Sequence, residues 1–369
     1  MSRARDFADL AAAYSGGGAL GKRNMVINGN MQVSQRATTT TGIPANSNYY
    51  PALDRYAVEG DHTAGRFTMS QAAITDLAGF TKAMKLDCTT ADTSIGANEY
   101  LLVEQRIEGQ NLQGLGFGTS DAKPVTVSFY VKGTAKTYML EVQNYDASKV
   151  STNQFAVTTS WNRISITIPA DTASAISNDN GHGFWLNFWI HAGSTFTGGT
   201  YSANAWQSLT NNTRASGIGS FFSSTDNELY ITGLQMELGE VATPFEHESY
   251  GDNLQRCQRY FYKFLSTNVY GALGATGMQI NTNATGGVMF QGTHPVMMRA
   301  APTMAIGGSW SAEAATGSTT FELAESVRTN IYTWQSQEAI PSSNASDGAA
   351  AMAYAENRAD AFLSGSAEL

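Results

Sequence analysis

Charge is scarce in this sequence. Lys, Arg, Asp and Glu make up 14 % of 369 residues, against about 25 % in ordinary soluble domains. What charge there is leans acidic, at a formal net −9. A scaffold for duplex nucleic acid carries a basic stripe. Only short basic pairs such as Lys22 and Arg23 occur, so nucleic acid is not expected as a partner. Cysteine is nearly absent. Cys88 and Cys257 lie far apart in apolar surroundings and read as buried thiols, with a single bridge as the alternative. No apolar run approaches the roughly 20 residues of a membrane helix, so membrane insertion is not expected. The opening MSRARDFADLAAAYSGGG holds Asp6 and Asp9 and lacks the continuous apolar segment of a secretion signal. Synthesis and folding in a cytoplasm are expected.

Motifs that carry chemistry are also missing. His62, His182, His191, His247 and His294 form neither HxH nor HExxH, and no CxxC exists, which argues against a zinc enzyme. There is no G-x-S-x-G elbow. Asp and Glu number only 31, and several, such as Asp61, Asp121 and Asp179, sit in turn sequences where Asp stabilises the bend. Glycan cleavage by a carboxylate pair stays open, because separation in space is not written in the sequence. The expectation is a non-enzyme with no catalytic residues.

What is present is β-forming. Aromatics reach 11 % and Gly 36 residues, a composition that argues against disorder. Strands are expected at 25–27, 56–59, 66–71, 82–87, 100–107, 125–132, 137–143, 161–168, 183–191 and 228–238. Segments 125–131 (VTVSFYV) and 162–168 (NRISITI) alternate apolar and polar residues, the mark of a strand with one buried face. Gly233 breaks the phase of the last strand, as at a bulge. Turn signals separate the runs, and an antiparallel β-sandwich is expected over 22–248. Phe7, Leu10 and Tyr14 share one helical face, so residues 1–21 read as a short helix and a glycine hinge. That helix is either an attachment peg or a frayed end packed on its own domain. Ser249 and Asp252 suggest a helix start and a linking helix over 249–262. A smaller β domain is expected over 263–369, with strands at 288–290, 294–298, 302–306, 320–323, 330–334 and 359–363.

Two segments carry a resemblance. Residues 24–36 (NMVINGNMQVSQR) and 229–250 (LYITGLQMELGEVATPFEHESY) resemble the opening and closing strands of jelly-roll modules in bacteriophage tail-fibre and other virion-surface proteins. The run 249–261 (SYGDNLQRCQRYF), the run 294–303 (HPVMMRAAPT) and the closing segment around 359–369 are similar to that family as well. Residues 110–114 (QNLQG) resemble a segment of carbohydrate-binding jelly rolls. The resemblance implies a jelly-roll fold, a place on the virion surface, a homotrimer, docking on another virion protein through Phe7, Leu10 and Tyr14, and contact with a host surface glycan. A tail fibre or receptor-binding adhesin is the leading expectation. A head fibre or capsid decoration protein and a glycan-active enzyme are the alternatives. No cofactor is expected. A structural Ca²⁺ is an option that the resemblance places at Asp54 and Glu237, the latter otherwise reading as an ordinary capping or surface carboxylate. Asp54 and Arg55 also suggest a buried polar corner.

For glycan contact, aromatic faces match the apolar faces of sugar rings. Trp206, Tyr49 and Tyr50 have small polar neighbours and are the surface candidates. Trp185 and Trp189 share one parity of strand 183–191, and Phe184, Leu186, Phe188 and Ile190 the other. That strand is expected to be central and covered on both sides, with core packing the plainer reading of its Trp and a stacking platform the functional one.

Overall fold

The computed structural model describes residues 22–44, 47–265, 279–281, 287–308, 310–314, 317–321, 327–339, 351–355 and 361–369. Phe7, Leu10 and Tyr14 lie outside the described residues. The chain divides into two compact units, Met1–Asn253 with Leu369, and Leu254–Glu368.

The first unit is a jelly-roll sandwich of two antiparallel sheets. One runs β1 (Thr39–Ile43), β4 (Arg66–Ala73), β5 (Lys82–Thr90), β13 (Glu228–Leu238), β7 (Val125–Gly133), β10 (Asn162–Ile168). The other runs β12 (Gln207–Ser208), β9 (Lys149–Val157), β8 (Lys136–Asn144), β11 (His182–Ala192), β6 (Tyr100–Glu108), β3 (Ala57–Asp61), β2 (Ser47–Tyr49). Successive strands β5, β6, β7 and β8 alternate between the sheets. The expected alternation explains the layering. Val125, Val127, Phe129 and Val131 of β7 face Phe184, Leu186, Phe188 and Ile190 of β11 across the core, and all eight are buried. The rings of Phe129 and Phe188 meet edge to face, 5.2 Å apart at 85°. Burying each such side chain stabilises the fold by about 1.5–3 kcal/mol. Strand β9 was not expected from the sequence, because its Ser151, Thr152 and Asn153 are buried polar residues and hide the alternation.

Residues 25–27 are not the expected strand. Asn28 and Met31 take positive φ angles of 60° and 59°, which ends any extended run, and the segment becomes a polar latch along β13. The Met25 amide donates to Met236 O at 2.9 Å and Leu234 N to Gly29 O at 2.9 Å. Asn24 Oδ1 accepts from Val26 N and Met236 N, both at 3.0 Å, and its Nδ2 donates to Leu234 O at 3.1 Å. Gln105 closes the other side, donating to Ile27 O at 2.9 Å and accepting from Ile27 N at 2.8 Å. A Cβ on Gly29 would stand 2.1 Å from Leu234 O, so the close approach requires glycine. The expected bulge is present: the β13–β7 register shifts between Thr232 and Gln235, with Gly233 at φ 62°. Asp54 and Arg55 are both buried, as the polar-corner reading expected.

Helix α1 (Tyr250–Gln258) begins where Ser249 Oγ accepts from the Asp252 amide at 3.2 Å. Cys88 and Cys257 are buried thiols with no disulfide, and burial pushes Cys88 up to about 11. The second unit contains three small antiparallel sheets among its described residues. Phe261–Leu265 and Thr303–Gly307 flank Phe362–Ser366, and Gly287–Thr293 pairs with Thr333–Ala339. Residues 294–298 are irregular rather than the expected strand. His294 is fixed there by its ring, with Nδ1 2.8 Å from the Tyr262 hydroxyl and Nε2 2.9 Å from Asn330 O.

The latch makes a direct prediction. Asn24→Ala leaves the Met236 amide and Leu234 carbonyl without their buried partner. Equilibrium unfolding in urea should register a loss of about 1–3 kcal/mol. An unchanged midpoint would mean the latch contributes nothing to the sandwich.

Candidate functional site

β11 lies between β6 and β8, so its outward residues have neighbours on both sides. The register pairs Trp185 with Arg106 and Gln143, Asn187 with Glu104 and Glu141, and Trp189 with Leu102 and Met139. These residues share the outer face of the seven-stranded sheet, opposite the core. One end of that face is roofed by the loop after β11, whose Phe196 and Ala215 pack on Leu102, Met139 and Trp189. Beside the roof is a cavity of about 290 Å³ lined by Glu59, Tyr100, Glu104, Gln143, Trp185, Asn187, Trp189 and Arg214, among others. That is near the lower end of small-ligand pockets, about 300 Å³.

Its floor is charged yet almost fully buried. Arg214 makes a fork on Glu141, with Nε 2.8 Å from Oε2 and Nη2 2.6 Å from Oε1, and Asn187 Nδ2 donates to the same carboxylate at 2.8 Å. The Arg214 guanidinium lies 4.7 Å from the Trp189 ring centre. Burial alone would lower the Arg214 pKa, and Glu141 outweighs it so that the net shift is upward. Arg106 forms the second pairing, with Glu104 and with Glu59 at 3.8 Å, and lies 4.4 Å from the Trp185 ring centre. The Tyr100 hydroxyl donates to Glu59 at 3.0 Å. Burial pushes the Glu104 carboxyl up to about 7 against the pull of Arg106, and the Glu59 charge adds to the rise. Outside the lining, Tyr145 stacks on Trp185, with centres 5.1 Å apart and planes at 24°, and is 44 % exposed. Trp185 Nε1 donates to His182 Nδ1 at 3.1 Å.

Among the described residues, Glu104 Oε2, Asn187 Oδ1 and Trp189 Nε1 are buried atoms of this face without a hydrogen-bond partner in the protein. Native folds leave few such atoms; others here, such as Ser151 Oγ, Asn153 Nδ2 and Trp161 Nε1, lie elsewhere. A larger hollow of about 700 Å³ lies beside β9 and β10, lined by Asn153, Gln154, Thr167, Tyr201 and Glu240, among others. It lacks the stacked rings and ion pairs of the smaller cavity, which is therefore the stronger site despite its size.

The residues singled out from the sequence lie elsewhere. Trp206 is half-buried: its ring packs edge-on to Phe117 at 5.8 Å and its Nε1 donates to Pro169 O at 2.7 Å. Its polar neighbours in sequence gave no sign of those distant partners. Tyr49 is exposed on β2, and Tyr50 is half-buried under the Arg36 guanidinium, 5.1 Å from its ring centre. Neither lines the cavity. Asp54 accepts from the Gln35 amide at 2.9 Å and faces Arg36 at 3.9 Å. Glu237 accepts from Gln235 Nε2 at 2.7 Å, Thr243 N at 2.9 Å and Thr243 Oγ1 at 2.6 Å. Both carboxylates thus close loops. Among the described residues no three His, Cys, Asp or Glu side chains gather as a metal site. Glu59, Glu104, Arg106, Glu141 and Arg214 were not anticipated. For the strand residues the signal was a charge of outward parity inside an apolar run, in LLVEQRI and YMLEVQ.

No family model matches the sequence, and no curated protein does. Solved structures give distant likenesses. A tailspike protein 4 enzymatically active domain from bacteriophage CBA120 aligns at 11 % identity and a TM-score of 0.32, over 58 % of this chain and 21 % of that one. A carbohydrate-binding module solved with β-1,4-galactotriose aligns at 11 % and 0.30, over 59 % of this chain and 99 % of that one. A sugar-binding protein from Bacteroides thetaiotaomicron aligns at 10 % and 0.31, over 58 % and 99 %. Likeness this distant carries no weight for function.

Glu104 gives the site a pH signature. Its folded pKa, about 7, lies above the roughly 4.3 of an unfolded chain. The native state therefore holds more protons between those values, and stability should fall as pH rises from about 4.3 through 7. At about 1.4 kcal/mol per pK unit the effect is a few kcal/mol at most. Glu104→Gln should flatten that slope in urea unfolding followed across pH. A slope identical in both proteins would place the carboxylate's pKa elsewhere.

Proposed function

We propose that the chain is a glycan-binding protein of a bacteriophage virion, a tail fibre or receptor-binding adhesin that contacts host surface sugars without cleaving them. The observation that carries the binding reading is the cluster of partnerless buried polar atoms beside stacked aromatic rings. Sugars need that combination: an aromatic face for the C–H side of the ring and fixed acceptors for the hydroxyls. The phage reading rests on the sequence resemblance at 24–36 and 229–250. In the fold these two segments form one joint, through Asn24, Gly29, Leu234 and Met236. Display in several copies, a trimer by the same resemblance, gives a weak single site useful avidity.

One observation favours cleavage as a second reading. Glu104 holds its proton near neutrality, as a general acid does. Glu141, one strand beyond β11, would be its partner. Arg214 however engages both oxygens of Glu141, leaving a poor base or nucleophile, so binding is the better account.

Labelled full-length protein should bind host cells saturably, and periodate oxidation of their surface glycans should abolish it. Tyr145→Ala removes an exposed ring stacked on Trp185 and should weaken binding about tenfold, the scale of one lost contact of about 1.4 kcal/mol, with unchanged unfolding. Release of sugar products would restore the enzyme. Docking on capsids with no binding to cells would favour a decoration protein.

A further inference from the structure

The charges on the cavity floor select among sugars, an inference that rests on the glycan reading above. Glu59, Glu104 and Arg214 line the cavity, and Arg106 and Glu141, outside the lining, are paired with them. Both cations are engaged. Arg214 gives its fork to Glu141 at 2.6 and 2.8 Å and lies against Trp189. Arg106 pairs with Glu104 and Glu59 and lies against Trp185. The partnerless atoms are two acceptors, Glu104 Oε2 and Asn187 Oδ1, and one donor, Trp189 Nε1. Glu104, Glu141 and Asn187 are all at most 1 % exposed, so solvent screens them little.

An anionic substituent would arrive at acceptors and at a floor whose fixed charge sums to about −1 or, with Glu104 protonated, about zero. It finds no unpaired cation, and gaining one means opening a buried ion pair. The same sum does not repel a protonated amine, so the selection acts against anions alone. A hydroxyl donates to either acceptor and accepts from the indole N–H without moving any charge. We propose that this cavity takes a hydroxyl-bearing sugar residue, read by Glu104 and Asn187, and rejects sugars carrying carboxylate, sulfate or phosphate.

The test presents full-length protein with two immobilised polymer classes at one pH and ionic strength: neutral hexose or N-acetylhexosamine polymers, and uronate or sialylated polymers. Binding should be confined to members of the neutral class and should change little with salt. Glu104→Gln replaces half of the acceptor with a donor and should weaken neutral binding about tenfold, the scale of one hydrogen bond, without creating acidic binding. The salt dependence of the unsubstituted protein gives a readout that does not depend on the variant folding. Acidic polymers binding as well as neutral ones, with affinity falling as salt rises, would overturn the selectivity and leave the glycan reading standing. No binding to any class would remove the glycan reading and the selectivity with it.

Discussion

Strand β11 is covered on both faces, and the arrangement around it follows from that constraint. Its inward residues are apolar rings and branched chains that meet β7 across the core. Its outward residues are Trp185, Asn187 and Trp189, which must be covered by something other than a second sheet. The loop after β11 supplies the cover at one end by placing Phe196 against Trp189, with ring centres 5.3 Å apart. A polar group in such a setting is costly unless paired. Glu141 at 0 % exposure is tolerated because Arg214 and Asn187 satisfy it. Removing Arg214 would strand a buried carboxylate, the costly half of a broken ion pair.

The latch at 24–33 supports this face from inside the sandwich. Gln105 is the inward neighbour of Glu104 and Arg106 on β6, and its amide is spent on both backbone groups of Ile27. The same strand therefore ties the latch on one side and presents ligand-facing charge on the other. Arg55, at φ 74°, donates to the Arg106 carbonyl at 2.6 Å. The backbone that carries the site is thus fixed by buried polar groups as well as by the apolar core. Such networks are rigid when complete, and a rigid backbone is what a preorganised binding face requires.

How much of this was legible in the sequence depended on where each residue's partner lies. The alternation of β7 and β10, the central position of β11 and the bulge at Gly233 were all visible, because each is a local pattern. β9 was invisible because Ser151, Thr152 and Asn153 are buried polar groups that imitate a loop. The opening segment misled because non-glycine residues, Asn28 and Met31, take left-handed conformations that only the side-chain amides around them make affordable. Of the site, the shared parity of Trp185 and Trp189 was legible. The charges opposite them were overlooked, although a lone Glu or Arg of outward parity within LLVEQRI is itself informative. Arg214 had no local signal at all, since only the folded loop carries it to Glu141. Trp206 shows the reverse: small polar neighbours suggested exposure, while Phe117 and Phe184 from other parts of the chain pack against it.

The energetics of the floor are those of a buried polar cluster that the protein satisfies only in part. Glu104 gains from Arg106 less than burial takes away, since its carboxyl is held up to about 7. Its Oε2, with Asn187 Oδ1 and Trp189 Nε1, adds the penalty of partnerless polar atoms, each about 1–3 kcal/mol. These costs lie side by side, next to stacked rings and a cavity of about 290 Å³, on the sheet face that no second sheet covers. Arg214 and Arg106 hold the carboxylates in ion pairs, which offset the burial of Glu141 and only part of that of Glu104.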